Sequence, residues 1–136
     1  MLEFAIGSSI LLAAFTGTFG FGYTFYRYNT LATAVADGAR YASLRPYDSP
    51  NPTPSSAFNT AVQNIVVYGD PAGGSSPIVP GLQTTNVIVT PVFAFGVPSA
   101  ITVSISGYTI DAVVTQNTFN GKPSVTYPYT GIYSPY

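Results

Sequence analysis

The chain has 136 residues, enough for one domain or for one domain with an anchoring segment. Only 7% of its residues are charged and its net charge is −1, against roughly 25% charged in an ordinary soluble domain, so charge does little to keep a free monomer dispersed. The absence of Cys and His excludes disulfides, thiolate metal sites and an imidazole base, and four basic residues (Arg27, Arg40, Arg45, Lys122) cannot track a phosphate backbone, which excludes nucleic acid as a partner.

The charges lie far apart. Between Glu3 and Arg27 run 23 residues without one charged side chain. A helix over them would extend about 35 Å, the depth of a bilayer's hydrocarbon core. The run is too long for a secretory signal and lacks a basic segment before it. From Arg27 the pattern becomes amphipathic: Leu31, Val35 and Ala39 share a face, and Asp37 and Arg40 stand three apart, where opposite charges can pair. Arg45-Pro46 ends the helix, because the residue before a proline is pushed out of the α region. The expectation is one helix over about 2–44. Three glycines between Thr16 and Gly22 weaken it, yet Phe15, Phe19, Tyr23 and Tyr26 keep helical spacing, so a continuous or mildly bent helix is expected.

Leu2-Glu3-Phe4-Ala5-Ile6, the apolar run and Ala36-Asp37-Gly38-Ala39-Arg40-Tyr41-Ala42 together resemble the N-terminal region of TadE-like proteins, the pilins and pseudopilins of Tad-type, type IV-like pilus systems. Val67-Tyr68-Gly69-Asp70-Pro71 and Val79-Pro80-Gly81-Leu82 are similar to stretches found in the same group. The resemblance implies a membrane-anchored precursor, cut by a prepilin peptidase and drawn by pilus machinery from the inner membrane into an extracellular filament, a helical homopolymer. It also implies that Glu3 pairs with the N-terminal amine of a neighbouring subunit. Glu3 matches the family's glutamate by its context of Leu2 and Phe4, although it stands third where the family has it fifth. Leu2, Phe4, Ile6, Ile10, Leu11, Phe15, Phe19, Tyr23 and Tyr26 would complete the assembly surface.

A proline-rich linker (46–56) follows, with four prolines between Pro46 and Pro54, extended and stiff. Ser55 or Ser56 caps a short helix over about 57–67, with Phe58, Val62 and Ile65 inward, and Gly69-Asp70-Pro71 stops it before a surface loop over 71–81. Strands are expected over 85–93 and 100–114, the latter bent by a bulge at Gly107. Asn117–Gly121 reads as a turn, 123–130 as a last strand, and Asp111 could meet Lys122 across that hairpin. The fold class is α+β: a long N-terminal helix (1–45), then a head (57–136) of one short helix and a three- to four-stranded antiparallel sheet. The tail carries Tyr127, Tyr129, Tyr133 and Tyr136, suited either to packing on an adjacent subunit or to covering the head's own sheet edge.

The acids Glu3, Asp37, Asp48, Asp70 and Asp111 form no paired-carboxylate motif, and Ala72-Gly73-Gly74-Ser75-Ser76 lacks the lysine of a phosphate-binding loop. Neither catalysis nor a cofactor is expected. The aromatic cluster from Phe15 to Tyr28 reads as apolar packing. Three readings follow: the structural subunit of a filament, a minor pseudopilin priming or capping one, and a monomeric membrane-anchored periplasmic binding module. Low charge and abundant tyrosine favour a polymer.

Overall fold

The computed structural model describes residues 1–112 and 115–135. The first helix, α1, runs unbroken over Leu2–Leu44, glycines included. It ends where Arg45 turns extended ahead of Pro46, with the Arg45 N–H still bonded to the Tyr41 carbonyl. The second, α2 (Ser56–Tyr68), begins at Ser55, whose hydroxyl accepts the Phe58 N–H, and closes at Gly69 with φ 77°. A 3-10 turn (Thr84–Asn86) leads into strands β1 (Val87–Ala94), β2 (Val97–Asp111) and β3 (Gln116–Pro128), an antiparallel sheet in the order β1-β2-β3.

The core lies between the C-terminal half of α1, α2 and one face of the sheet. Leu31, Ala34, Val35, Ala39 and Ala42 of α1 meet Phe58, Val62, Val66 and Val67 of α2, and the sheet adds Val87, Ile101, Val103, Ile105, Tyr108 and Ile110. Along β2 the buried residues alternate from Ile101 to Ile105, then Gly107 (φ 68°) absorbs an extra position, and Tyr108 and Ile110 return to the same face. That is the expected bulge. Its polar groups are held by side chains: Asn86 Nδ2 donates to the Ser106 and Gly107 carbonyls, and Asn120 Oδ1 accepts the Gly107 N–H at 2.9 Å.

Several local expectations are corrected. Asn117–Gly121 is not a turn but strand, with Asn117 paired to Ile110 and Asn120 to Ser106. Gly121 (φ 77°) spends its positive φ inside β3, close to the bulge, rather than in a hairpin. The hairpin closes earlier, where Ala112 and Thr115 exchange backbone hydrogen bonds. Val113 and Val114, expected as the end of the second strand, lie outside the described residues. Asp111 consequently faces Gln116, not Lys122. On α2 the inward stripe is Phe58, Val62 and Val66, and Ile65 is only half-buried. The 71–81 loop is not all surface, since Val79 is buried, as is Leu82 just beyond it.

Candidate assembly surface

The two halves of α1 have opposite environments. From Leu31 onward one face is buried in the head, whereas residues 1–19 contain no buried side chain. That free segment extends about 27 Å at 1.5 Å per residue. Leu2, Phe4, Ile6, Ile10, Leu11, Phe15, Phe19 and Tyr26 are all exposed on it or just after it, together with Leu12, Phe21 and Phe25. Tyr23 differs: it is half-buried, with the Arg27 guanidinium 4.9 Å over its ring. The apolar residues surround the helix rather than forming a stripe, the pattern of a helix enclosed on all sides. α1 is long and apolar enough to cross a membrane.

The Ser and Thr hydroxyls of α1 are satisfied by the helix itself. Thr16 and Thr18 donate to the Leu12 and Ala14 carbonyls at 2.8 and 2.9 Å, and Ser8, Ser9, Thr24, Thr30, Thr33 and Ser43 bond in the same manner three or four residues back. Every Ser and Thr hydroxyl on this helix can therefore enter lipid or a protein bundle without losing a partner. The side-chain charge at the free end is the Glu3 carboxylate, fully exposed and 3.9 Å from the Met1 amine. Among the described residues this is the one ion pair within 4.0 Å, so Asp37 and Arg40 do not pair. Both point into solvent, where such a contact gains little.

Where α1 joins the head, Arg27 Nη1 donates to the Pro80 carbonyl at 3.4 Å, and the Tyr108 hydroxyl reaches the same oxygen at 2.9 Å. Burial pushes the Tyr108 phenol up. Beside Arg27 lies a groove of about 300 Å³, walled by Tyr23, Tyr26, Ile78 and Pro80. Sequence reasoning counted Arg27 among the bases and gave it no place in the site. Its position as the first charge after the apolar run, flanked by tyrosines, was the available signal.

The tail is held within its own chain. Tyr133 bridges in parallel to Tyr47, the Tyr47 N–H donates to the Ile132 carbonyl and the Ser134 N–H to the Tyr47 carbonyl, each at 2.9 Å. The Tyr129 hydroxyl shares its one proton between the Ile132 carbonyl at 2.7 Å and the Arg45 carbonyl at 3.0 Å, and accepts the Tyr47 N–H at 2.9 Å. Tyr127, Tyr129 and Tyr133 are half-buried against the core, and Tyr136 lies outside the described residues. The tail thus grips the linker and also lays the Tyr133 ring against Phe93 of the edge strand β1. Its hub, Tyr47, sits in the segment read as a stiff exposed spacer, yet it is fully buried, edge-on to Phe58 and Phe93. Burial pushes its phenol up to about 12.

Residues 1–40 match the family model described as TadE-like protein. Comparison with curated proteins and with solved structures gives no match. The match covers nearly all of α1, both its free apolar half and most of the half packed on the head.

Proposed function

We propose that this protein is the structural subunit of an extracellular pilus-like filament, and that it polymerises through the free half of α1. One observation carries the reading: a helix apolar on every side projects from a folded head with its large side chains in solvent. Burying a Leu, Ile or Phe side chain is worth about 1.5–3 kcal/mol, so roughly ten such side chains left in water favour a second environment strongly. Before assembly that environment is the inner membrane. Afterwards it is a bundle of the same helices from neighbouring copies. The TadE-like match over residues 1–40 supports an association with Tad pili; a prepilin peptidase and pilus assembly machinery are the partners this reading calls for.

The sheet supports the helix as the polymerising element. Each edge strand carries a proline, Pro91 in β1 and Pro123 in β3, the latter beside the exposed Lys122. Such residues discourage growth by strand addition. The role is structural, not catalytic. The test is negative-stain microscopy of material sheared from the cell surface, with mass spectrometry of its main band. Filaments whose principal protein is this chain support the reading. Recovery of the chain only as a dispersed single copy in detergent or lipid overturns it, and traces of it in filaments built of another protein assign it the minor, priming or capping role.

A further inference from the structure

We propose that Arg27 is the intermolecular partner of Glu3, the two meeting between copies of this chain as one helix tip docks in the groove beside another's neck. The inference rests on the filament reading above and assigns it a specific contact.

Glu3 and Arg27 are the only charged side chains in the first 36 residues, and they are opposite in sign. Each is set in apolar surroundings. Glu3 stands between Leu2 and Phe4 at the tip of a helix that must leave water to assemble. A carboxylate moved into such a bundle needs a cation there or loses its charge. Arg27 has no carboxylate within 4.0 Å among the described residues. Its guanidinium is nevertheless fixed, stacked over the Tyr23 ring and bonded to the Pro80 carbonyl. A guanidinium held by one carbonyl retains N–H donors suited to a carboxylate.

Geometry makes the pairing intermolecular. Glu3 and Arg27 lie 24 positions apart on one unbroken helix, about 36 Å at 1.5 Å per residue. Neither can reach the other within a chain. Between chains they can meet if parallel helices are staggered by about that distance. The contact joins two different patches, tip to neck, so each copy that docks offers a fresh tip or neck to the next, and the interaction propagates as an open filament. The groove of about 300 Å³ beside Arg27 accepts what flanks the carboxylate: Leu2 and Phe4 are apolar, as are the Tyr26 and Ile78 walls.

The chain has no cysteine, so introduced thiols report cleanly. Copies carrying Glu3→Cys and copies carrying Arg27→Cys are co-expressed with wild-type chain, and the sheared filaments are treated with a short bis-maleimide, because the long side chains of a Glu–Arg pair hold the two Cα atoms beyond the roughly 7 Å that a direct disulfide can bridge. A thioether-crosslinked dimer containing one copy of each variant is expected. Filaments that incorporate both variants without forming that dimer overturn the pairing while leaving the filament reading intact. In a second arm, Glu3→Arg and Arg27→Glu each cut filament yield by at least about tenfold, as loss of a desolvated ion pair does, and the double swap restores it. A head that melts as in wild type shows that Arg27→Glu has not simply unfolded the neck. Failure of Glu3 variants alone, with Arg27→Glu assembling normally, overturns the pairing and returns Glu3 to a neighbour's amine. If wild-type chain forms no filaments at all, both proposals fall together.

Discussion

Gly38 of α1 lies so close under Val66 of α2 that a Cβ on Gly38 would overlap Val66 Cγ2. The two helices approach there through the absence of a side chain, and Val66, stiff at χ1 within its own helix, cannot turn aside cheaply. Gly38→Ala should therefore destabilise the head. Overpacking costs about 1–3 kcal/mol, offset in part by the roughly 1 kcal/mol that Ala gains over Gly in a helix. Gly22→Ala is the contrast, since no atom outside its own helix turn lies within 4 Å of the added Cβ. Thermal melts in detergent should show a lower midpoint for the first and an unchanged or higher one for the second. Equal midpoints would mean that Gly38 is not a packing position.

The buried Tyr47 phenol makes head stability sensitive to alkali. Its pKa is raised from 10.0 to about 12 in the fold, so the folded state favours the neutral form. The stabilisation is present in full below pH 10 and is lost as pH rises from 10 through 12, where the unfolded chain ionises first. Two units of displacement correspond to about 2–3 kcal/mol at the upper end. Burial raises Tyr129 and Tyr108 as well, which deepens the same decline. Tyr47→Phe removes one hydrogen bond, to the Asn51 carbonyl, and should cost about 1 kcal/mol near neutrality. Its stability should fall less steeply above pH 10 than that of wild type. Parallel profiles for the two proteins would show that Tyr47 does not titrate with unfolding.

Much of this architecture was legible in the sequence where one signal acted alone. The uncharged run and the Arg45-Pro46 stop define α1, Ser55 and Gly69 bracket α2, and Gly107 marks the bulge, each through local chemistry. Expectations failed where tertiary pairing decided between two local meanings. Asn120-Gly121 has the composition of a tight hairpin turn, but Asn120 is needed opposite the β2 bulge, so its amide is used there and the chain runs on as strand. Tyr47 sits among prolines that predict an extended segment, which it is. Burial of its ring depends on Phe58, Phe93 and Tyr133, all distant in sequence. The exposed apolar side chains of α1 were readable as an apolar run, whereas the groove beside Arg27 was not, because its wall at Ile78–Pro80 comes from a loop some fifty residues away.

Removing the tail should weaken the head itself. A chain ending after Thr130 loses the Ile132 carbonyl that accepts both the Tyr47 N–H and the Tyr129 hydroxyl. It also loses the Tyr133 ring that covers Tyr47 and Phe93. The fully buried Tyr47 would then meet water on one side. The expected loss is about 2–4 kcal/mol, the scale of exposing part of an aromatic cluster and leaving a buried N–H with a weaker partner. Urea titration followed by tyrosine fluorescence measures it. A truncated chain as stable as wild type would show that the tail contributes nothing within its own subunit and would reopen a role between subunits.

Deleting residues 1–19 should do the reverse, sparing the head and abolishing assembly. None of those residues is buried, and the core uses α1 only from Leu31 onward. The helix that remains still presents Leu31, Ala34, Val35, Gly38, Ala39 and Ala42 to α2 and the sheet, so packing in the head is unchanged. Its melting midpoint should stay within a few degrees of the full-length protein, less than the roughly 4–8 °C that one kcal/mol moves a small domain. With Leu2, Phe4, Ile6, Ile10, Leu11, Phe15 and Phe19 gone, the protein should remain in aqueous buffer without detergent and sediment as a monomer. Sedimentation velocity and differential scanning calorimetry on the same sample decide the matter. A head that melts normally but still polymerises would place the assembly contacts outside the free helix, and one that fails to fold would show that the exposed half of α1 stabilises its own subunit.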